Sequence, residues 1–411
     1  MKHRLLAALL LCNLAQVASA TETVRIATLD MLSGGLAGYG NTALKHWQFM
    51  ADKATKEKWA GDVRFEIVPM DTKMSPQEAV ALLKQIEAQD IHYVAQGASS
   101  SSVGLAIEEA IPKHNDRNPG KEIVYLNYAS ATPAMTNEKC SFWHFRTDAH
   151  VDMKLKAMIN HIAADPKIKR VFLFNPNYSY GQDAAKAARR FLADLRPDVE
   201  IAGDDYYPTG QVKDFAPYVN KIKSQKTDAL ITVAFGNDLA LFGKAANEFG
   251  LNDTSIVTLS GSGPGMGLAF GEKAQGRVKL VIGHNMNDTR YGAVELAEEF
   301  RQKMKEDFLF GASHSAMKLL AQGIRAAGTT SPVAVASKME GMTVDTIAGH
   351  AVMRKDDHQL QMPVYVDVWA KADGKVVKVD QDGTGFGWRT LSVIPKEETS
   401  FPTSCKMTRP L

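Results

Sequence analysis

The chain has 411 residues, of which 45% are hydrophobic and 23% charged, with 48 lysines and arginines against 46 aspartates and glutamates. This is the balance of an ordinary globular chain long enough for two or three domains, and it excludes a low-complexity or disordered polymer. No basic block and no basic–aromatic interleave occurs, which argues against nucleic acid as a partner.

Lys2, His3 and Arg4 precede the apolar run Leu5 to Leu11, and Val17-Ala18-Ser19-Ala20 places small residues where a signal peptidase cuts. Residues 1–20 therefore read as a secretory signal peptide, cleaved after Ala20 and too short to span a membrane. Cys12 follows Leu10-Leu11 rather than the small residues of a lipoprotein signal, so a lipid anchor is the minor reading. Loss of Lys2 and Arg4 with the leader brings the two signs of charge into balance.

From Thr23 onward strand-like and helical stretches alternate. Strand runs at 24–29, 64–68, 91–95 and 123–126 separate helical patterns at about 40–59, 76–89 and 103–113. Ser75-Pro76-Gln77-Glu78 is a capping box with proline at the first helical position, which marks the start of the second helix. Alternation at this spacing implies right-handed crossovers and a mostly parallel sheet covered by helices on both faces, an α/β architecture.

Between the third strand and third helix lies Gly97-Ala98-Ser99-Ser100-Ser101-Ser102. A helix start rich in hydroxyls with free N–H groups carries partial positive charge and suits a carboxylate or phosphate. A plain helix cap explains one of these serines equally well. After the fourth strand, Tyr128-Ala129-Ser130-Ala131-Thr132-Pro133 forms a second hydroxyl-bearing loop.

The pattern then restarts, with strands at 170–174, 199–201, 228–233 and 255–259 and helices at 181–195, 215–224 and 239–249. A second α/β unit of similar size thus follows the first, and two such units leave a cleft at the carboxyl ends of their strands. Gly261-Ser262-Gly263-Pro264-Gly265-Met266-Gly267 lacks dinucleotide-binding spacing and reads as a hinge or turn. Helical patterns at 293–308, 313–327 and 332–339 and strand runs at 362–369 and 375–379 complete the two lobes. Cys140 and Cys405, the cysteines left after processing, read as one disulfide in an oxidising compartment, with two buried free thiols as the alternative.

No nucleophile elbow, Walker loop, zinc-protease motif or Cys-x-x-Cys pair occurs, so neither an enzyme nor a cofactor is expected. His284, His314 and His358 have no second ligand at helical spacing and read as packed or exposed histidines.

Several motifs in this order resemble the solute-binding proteins of branched-chain-amino-acid-type ABC transporters, the leucine-binding-protein family. They are Met31-Leu32-Ser33-Gly34 with Tyr39-Gly40, the serine loop at 99–102, Ala131-Thr132-Pro133-Ala134-Met135-Thr136, Tyr180-Gly181-Gln182, Asp214-Phe215, and Asp357 through Tyr365. The resemblance implies a two-lobed type I periplasmic-binding-protein fold with discontinuous lobes, 21–142 plus 262–343 and 143–261 plus 344–411. It implies chain crossings near 142–146, 259–263 and 342–348.

It also implies a small carboxylate-bearing ligand, an amino acid of branched-chain or aromatic type, delivered to a membrane permease by a monomeric periplasmic protein. Relatives of the fold also take aromatic acids, amides and urea. Ser101, assisted by Ser100, Ser130 and Thr132, would hold the ligand carboxylate. Tyr39 and Tyr180 would wall the cleft. Asp238, where the family more often carries Glu, would meet the ligand ammonium. A carboxylate buried there needs a positive partner, either the ligand or a nearby side chain such as Arg146. A secreted enzyme or sensor domain using the same cleft is the more remote alternative.

Overall fold

A computed structural model describes residues 22–410, so the expected signal peptide at 1–20 lies outside the described residues. In the first lobe, strands β1 (Thr23–Asp30), β2 (Arg64–Asp71), β3 (Tyr93–Gln96), β4 (Val124–Asn127) and β5 (His144–Arg146) form one sheet in the order β2-β1-β3-β4-β5. All its pairings are parallel. Every residue of β3 and β4 is buried, as expected of central strands covered by helices on both faces.

The second lobe holds β6 (Arg170–Pro176), β7 (Glu200–Tyr207), β8 (Ala229–Thr232), β9 (Ser255–Thr258) and β10 (Val278–Ile282). A small antiparallel sheet of β11 (Thr343–Thr346), β12 (Gly349–Met353) and β13 (Leu360–Gln361) follows. Strands β14 (Val364–Lys371) and β15 (Phe386–Ile394) then complete the second lobe as an antiparallel edge, giving the order β15-β14-β10-β9-β8-β6-β7. This is the expected two-lobed α/β fold.

Pairing moves all three expected crossings. His144–Arg146 bonds to β4, so the first crossing follows Arg146. Val278–Ile282 pairs parallel with β9, so the chain stays in the second lobe through Ile282, well beyond the glycine-rich turn at 261–267. Strand β11 packs on the helix Gly311–Ala327, itself packed on Ala37–Lys56 of the first lobe, so the third crossing falls near Met362. The expected strand at 375–379 is instead a loop, and Phe386–Ile394 supplies the last strand. The short runs 144–146 and 278–282 gain strand character from the partners they meet rather than from any periodicity of their own.

Ser75 caps its helix as predicted, accepting the Glu78 N–H at 3.2 Å. Cys140 and Cys405 are joined by a disulfide that ties the C-terminal tail to the loop following the 133–136 turn. Thr403 Oγ1 donates to the Thr136 carbonyl at 2.7 Å beside it.

Candidate ligand site between the two lobes

The serine loop divides the two roles that its sequence left open. Ser100 is the cap of the helix Ser101–Arg117, its Oγ accepting the Val103 N–H at 3.2 Å. Ser101, one residue on, turns into a cavity between the lobes that Ser99, Ser130, Tyr39, Tyr180 and Phe235 also line. The first N–H groups of that helix have no partner within it.

Glycine lets the two hydroxyl loops meet. A Cβ on Gly104 would sit 2.7 Å from Ser130 Oγ, and one on Gly97 2.6 Å from the Ala129 nitrogen. Below the loop, Asp30 accepts the Gly97 N–H at 3.2 Å and the Tyr128 hydroxyl at 2.5 Å, and that hydroxyl accepts the Ala98 N–H. Burial pushes the Asp30 carboxyl up to about 7, against the pull of these hydrogen bonds. Ser130 Oγ donates to Gln96 Oε1 at 2.9 Å, while Gln96 Nε2 has no partner among the described residues. The same Gln96 Oε1 also accepts the Tyr125 hydroxyl at 2.5 Å.

The other sequence-predicted residues separate. Tyr39 and Tyr180 wall the cavity, Tyr39 standing edge-on to Phe235 of the second lobe with ring centroids 5.7 Å apart. Burial holds both phenols well above their usual range, so they stay neutral donors. Thr132 does not line the cavity: its hydroxyl donates to Asp183 Oδ2 at 2.5 Å. Asp183 belongs to the helix Ser179–Leu195 of the second lobe, so this bond crosses the cleft. Asp238, 2% exposed, accepts the Gly210 N–H at 2.8 Å and is not among the cavity walls. Burial raises its carboxyl pKa, and the Gly210 bond opposes the rise.

Arg146 does not pair with Asp238 either. It is fully buried and spends its donors on Gln359 Oε1 at 2.6 Å, the Thr132 carbonyl at 2.7 Å and Thr136 Oγ1. It braces the hydroxyl loop against the third crossing.

Charge enters the cavity from residues the sequence reading passed over. Beyond Tyr39, Tyr180, Ala129 and Ser260, which line both halves, the cavity continues to Asp148, Lys154 and His284. Lys154 Nζ lies 2.5 Å from Asp148 Oδ2, both side chains largely buried. Asp148 sits on the first crossing and Lys154 on the helix Val151–Ala163, a spacing that makes no helical pair and so carries no sequence signal. His284 Nε2 accepts the Gly311 N–H at 3.3 Å, and burial pushes the ring down to about 4, so it is neutral with its proton on Nδ1.

A closed cleft with hydroxyls and helix N–H groups at one end, aromatic walls, and an acid–base pair at the other can hold a small polar molecule. No group of three metal-ligating side chains occurs among the described residues, and no helix there is long and apolar enough to cross a membrane. Residues 23–375 match the family model described as "Periplasmic binding protein". The chain belongs to that family.

Relatives of the family agree in extent. The chain is 26% identical over 408 residues to Leu/Ile/Val-binding protein homolog 4 of Brucella abortus, covering 97% of this chain and 96% of that protein. It superposes with a TM-score of 0.82 and 26% identity on the leucine-, isoleucine-, valine-, threonine- and alanine-binding protein of Brucella ovis in its closed conformation, covering 95% of this chain and all of that one. A solute-binding protein of an ABC transporter from Rhodopseudomonas palustris, in complex with 3,4-dihydroxybenzoic acid, shares the fold at a TM-score of 0.76 and 17% identity, covering 91% of this chain and 98% of that one.

Proposed function

We propose that this periplasmic binding protein captures a small amino acid, branched-chain or aromatic, between its lobes and delivers it to the permease of an ABC importer. The observation that carries the reading is the pairing, in one cavity, of Ser101 and Ser130 with the acid Asp148 beyond the tyrosines. Ser101, Ser130 and the helix N–H groups would take the ligand carboxylate through charge-assisted hydrogen bonds, and Asp148 would take its ammonium. Tyr39 and Tyr180 would close over the body between them. Ser100 would act through the helix start, Thr132 through closure, and Asp238 by fixing the Gly210 turn. The reading includes export to the periplasm by the residue 1–20 leader, action as a monomer, and no catalysis of its own.

A second reading, an aromatic carboxylate, is favoured by the four rings that surround the serines, Tyr39, Tyr178, Tyr180 and Phe235. Lys154 would then neutralise Asp148 unaided. A thermal-shift panel of amino acids and benzoates separates the two. A ligand at 100 times its dissociation constant adds about 2.7 kcal/mol of stability. Stabilisation by amino acids supports the first reading, stabilisation by benzoates alone the second, and no response to any carboxylate removes both.

A further inference from the structure

A second cavity lies behind the first, toward the crossings. The two share Ser262, Ile282, His284 and Leu309 as a common wall. The inner cavity is lined largely by apolar side chains, among them Leu280, Met286, Ala297, Phe308 and Trp388, and it contains three carboxylates.

Two of these carboxylates are accounted for. Arg301 bonds Asp307 at 2.9 Å and Asp380 at 3.0 Å, and Asp307 and Asp380 also accept backbone N–H groups. The third, Asp367 on β14, is 0% exposed, and neither of its oxygens meets hydrogen-bond geometry with a described residue, although Asn285 and Thr390 stand close enough to lower its carboxyl pKa. Its neighbour Asn285 gives its amide to Thr390 Oγ1 and the Trp388 carbonyl instead. Two amides of the wall are committed as well: Gln381 accepts from Trp388 Nε1 at 2.7 Å and donates to the Gly263 carbonyl at 2.9 Å, and Asn287 donates to the Val379 carbonyl at 3.0 Å.

A buried carboxylate without a partner is costly, and one that faces a cavity can be satisfied by a donor entering that cavity. A primary ammonium fits that description: three donors on a slender stem, passing apolar walls to reach an acid. The partition does not oppose it, because His284 is neutral and Lys154 is paired with Asp148.

We propose that this inner cavity is a second compartment of the ligand site, in which Asp367 receives the amino group at the far end of an elongated amino acid. The proposal rests on the interlobe cavity being the ligand site. It extends the path from Ser101, past Asp148 and His284, to Asp367, and it shifts the favoured ligand from a branched-chain or aromatic amino acid to an elongated α-amino acid with a distal amine, held at the same Ser101 end. Burial pushes the Asp367 carboxyl up to about 7, tempered by Asn285 and Thr390 beside it and reinforced by Asp288. His284 and the Arg301-bound Asp307 and Asp380 are the other ionisable groups facing it. Seating an ammonium there would therefore expel the carboxyl proton near neutral pH.

Calorimetric titration with L-leucine, L-norleucine and L-lysine tests this, because norleucine and lysine share a chain length and differ in the terminal amine. The expected result is lysine binding about tenfold tighter than norleucine, the scale of one charge-assisted hydrogen bond, with proton release that buffers of different ionisation enthalpy reveal. Asp367→Asn should abolish both the preference and the release. Ala297→Met, which fills the compartment and keeps the acid, should weaken lysine and norleucine and leave leucine unchanged. If leucine binds and lysine gains nothing over norleucine, or if the preference survives Asp367→Asn, the compartment is overturned while the amino-acid reading stands. If only benzoates bind, both are overturned in favour of the aromatic carboxylate. If no carboxylate binds, the interlobe site itself fails.

Discussion

Thr132 Oγ1 of the first lobe donates to Asp183 Oδ2 of the second at 2.5 Å, a bond that spans the two lobes. Its partners come from the hydroxyl loop after β4 and from the helix Ser179–Leu195. Burial raises the Asp183 carboxyl and the threonine bond pulls it back. We infer that this bond between lobes acts as a latch. A latch biases an open–closed equilibrium without touching what is enclosed.

Thr132→Val should therefore weaken binding of every ligand by the same factor, about fivefold for one hydrogen bond near 1 kcal/mol. The loss should lie in the dissociation rate, measured by stopped-flow fluorescence. A change in the ranking of ligands would instead make Thr132 a contact residue.

Ser100 and Ser101 should separate in their effects. Ser100→Ala removes the helix cap and should cost about 1 kcal/mol of stability in urea denaturation. Ser101→Ala should leave stability nearly unchanged and weaken carboxylate binding. The reverse outcome would exchange the two roles.

Asp30 fixes a sign for the dependence of stability on pH. Its folded pKa of about 7 lies above the 3.8 usual for an aspartate, so the folded state holds the proton more tightly. The contribution is complete below about pH 4, falls as pH rises through 7, and is constant above, and it amounts to roughly 2–4 kcal/mol. Asp367, raised to about 7, acts in the same direction. The double substitution Asp30→Asn, Asp367→Asn should flatten the fall in unfolding free energy between pH 5 and 8. A fall of unchanged size would remove this origin.

The Cys140–Cys405 bridge closes a span of 265 residues and holds the tail against the loop that carries Ser130 and Thr132. Reduction, or the Cys140→Ser, Cys405→Ser double variant, should cost about 2–4 kcal/mol, the typical range for a disulfide, against a chain-entropy ceiling of roughly 5–6 kcal/mol for so long a loop. Calorimetric melting with and without reductant measures this, and equal melting temperatures would mean that the tail contacts suffice alone.

The fold was legible because periodicity and capping are local. Ser75 caps where its motif says, and the buried runs at 93–96 and 124–127 sit centrally in a parallel sheet. Crossings were not legible, because β5 and β10 are too short to announce which sheet they join. In the site, residue types at strand ends singled out Ser101, Ser130, Tyr39 and Tyr180, and all four line the cavity. Thr132, Ser100 and Asp238 have the same chemistry and lie within a few residues of those walls, but hydrogen bonds to Asp183, Val103 and Gly210 turn them elsewhere. Asp148, Lys154 and His284 meet only through tertiary folding, so no spacing signals them.

The central claim is that Ser101 and Ser130 hold a ligand carboxylate inside the closed cleft. Titration calorimetry of the wild type and of the Ser101→Ala, Ser130→Ala double variant with amino acids and benzoates tests it most directly. The wild type should bind one ligand per chain and the variant about a hundredfold more weakly, two charge-assisted bonds being lost. Binding of the same carboxylate with unchanged affinity in the variant would contradict it.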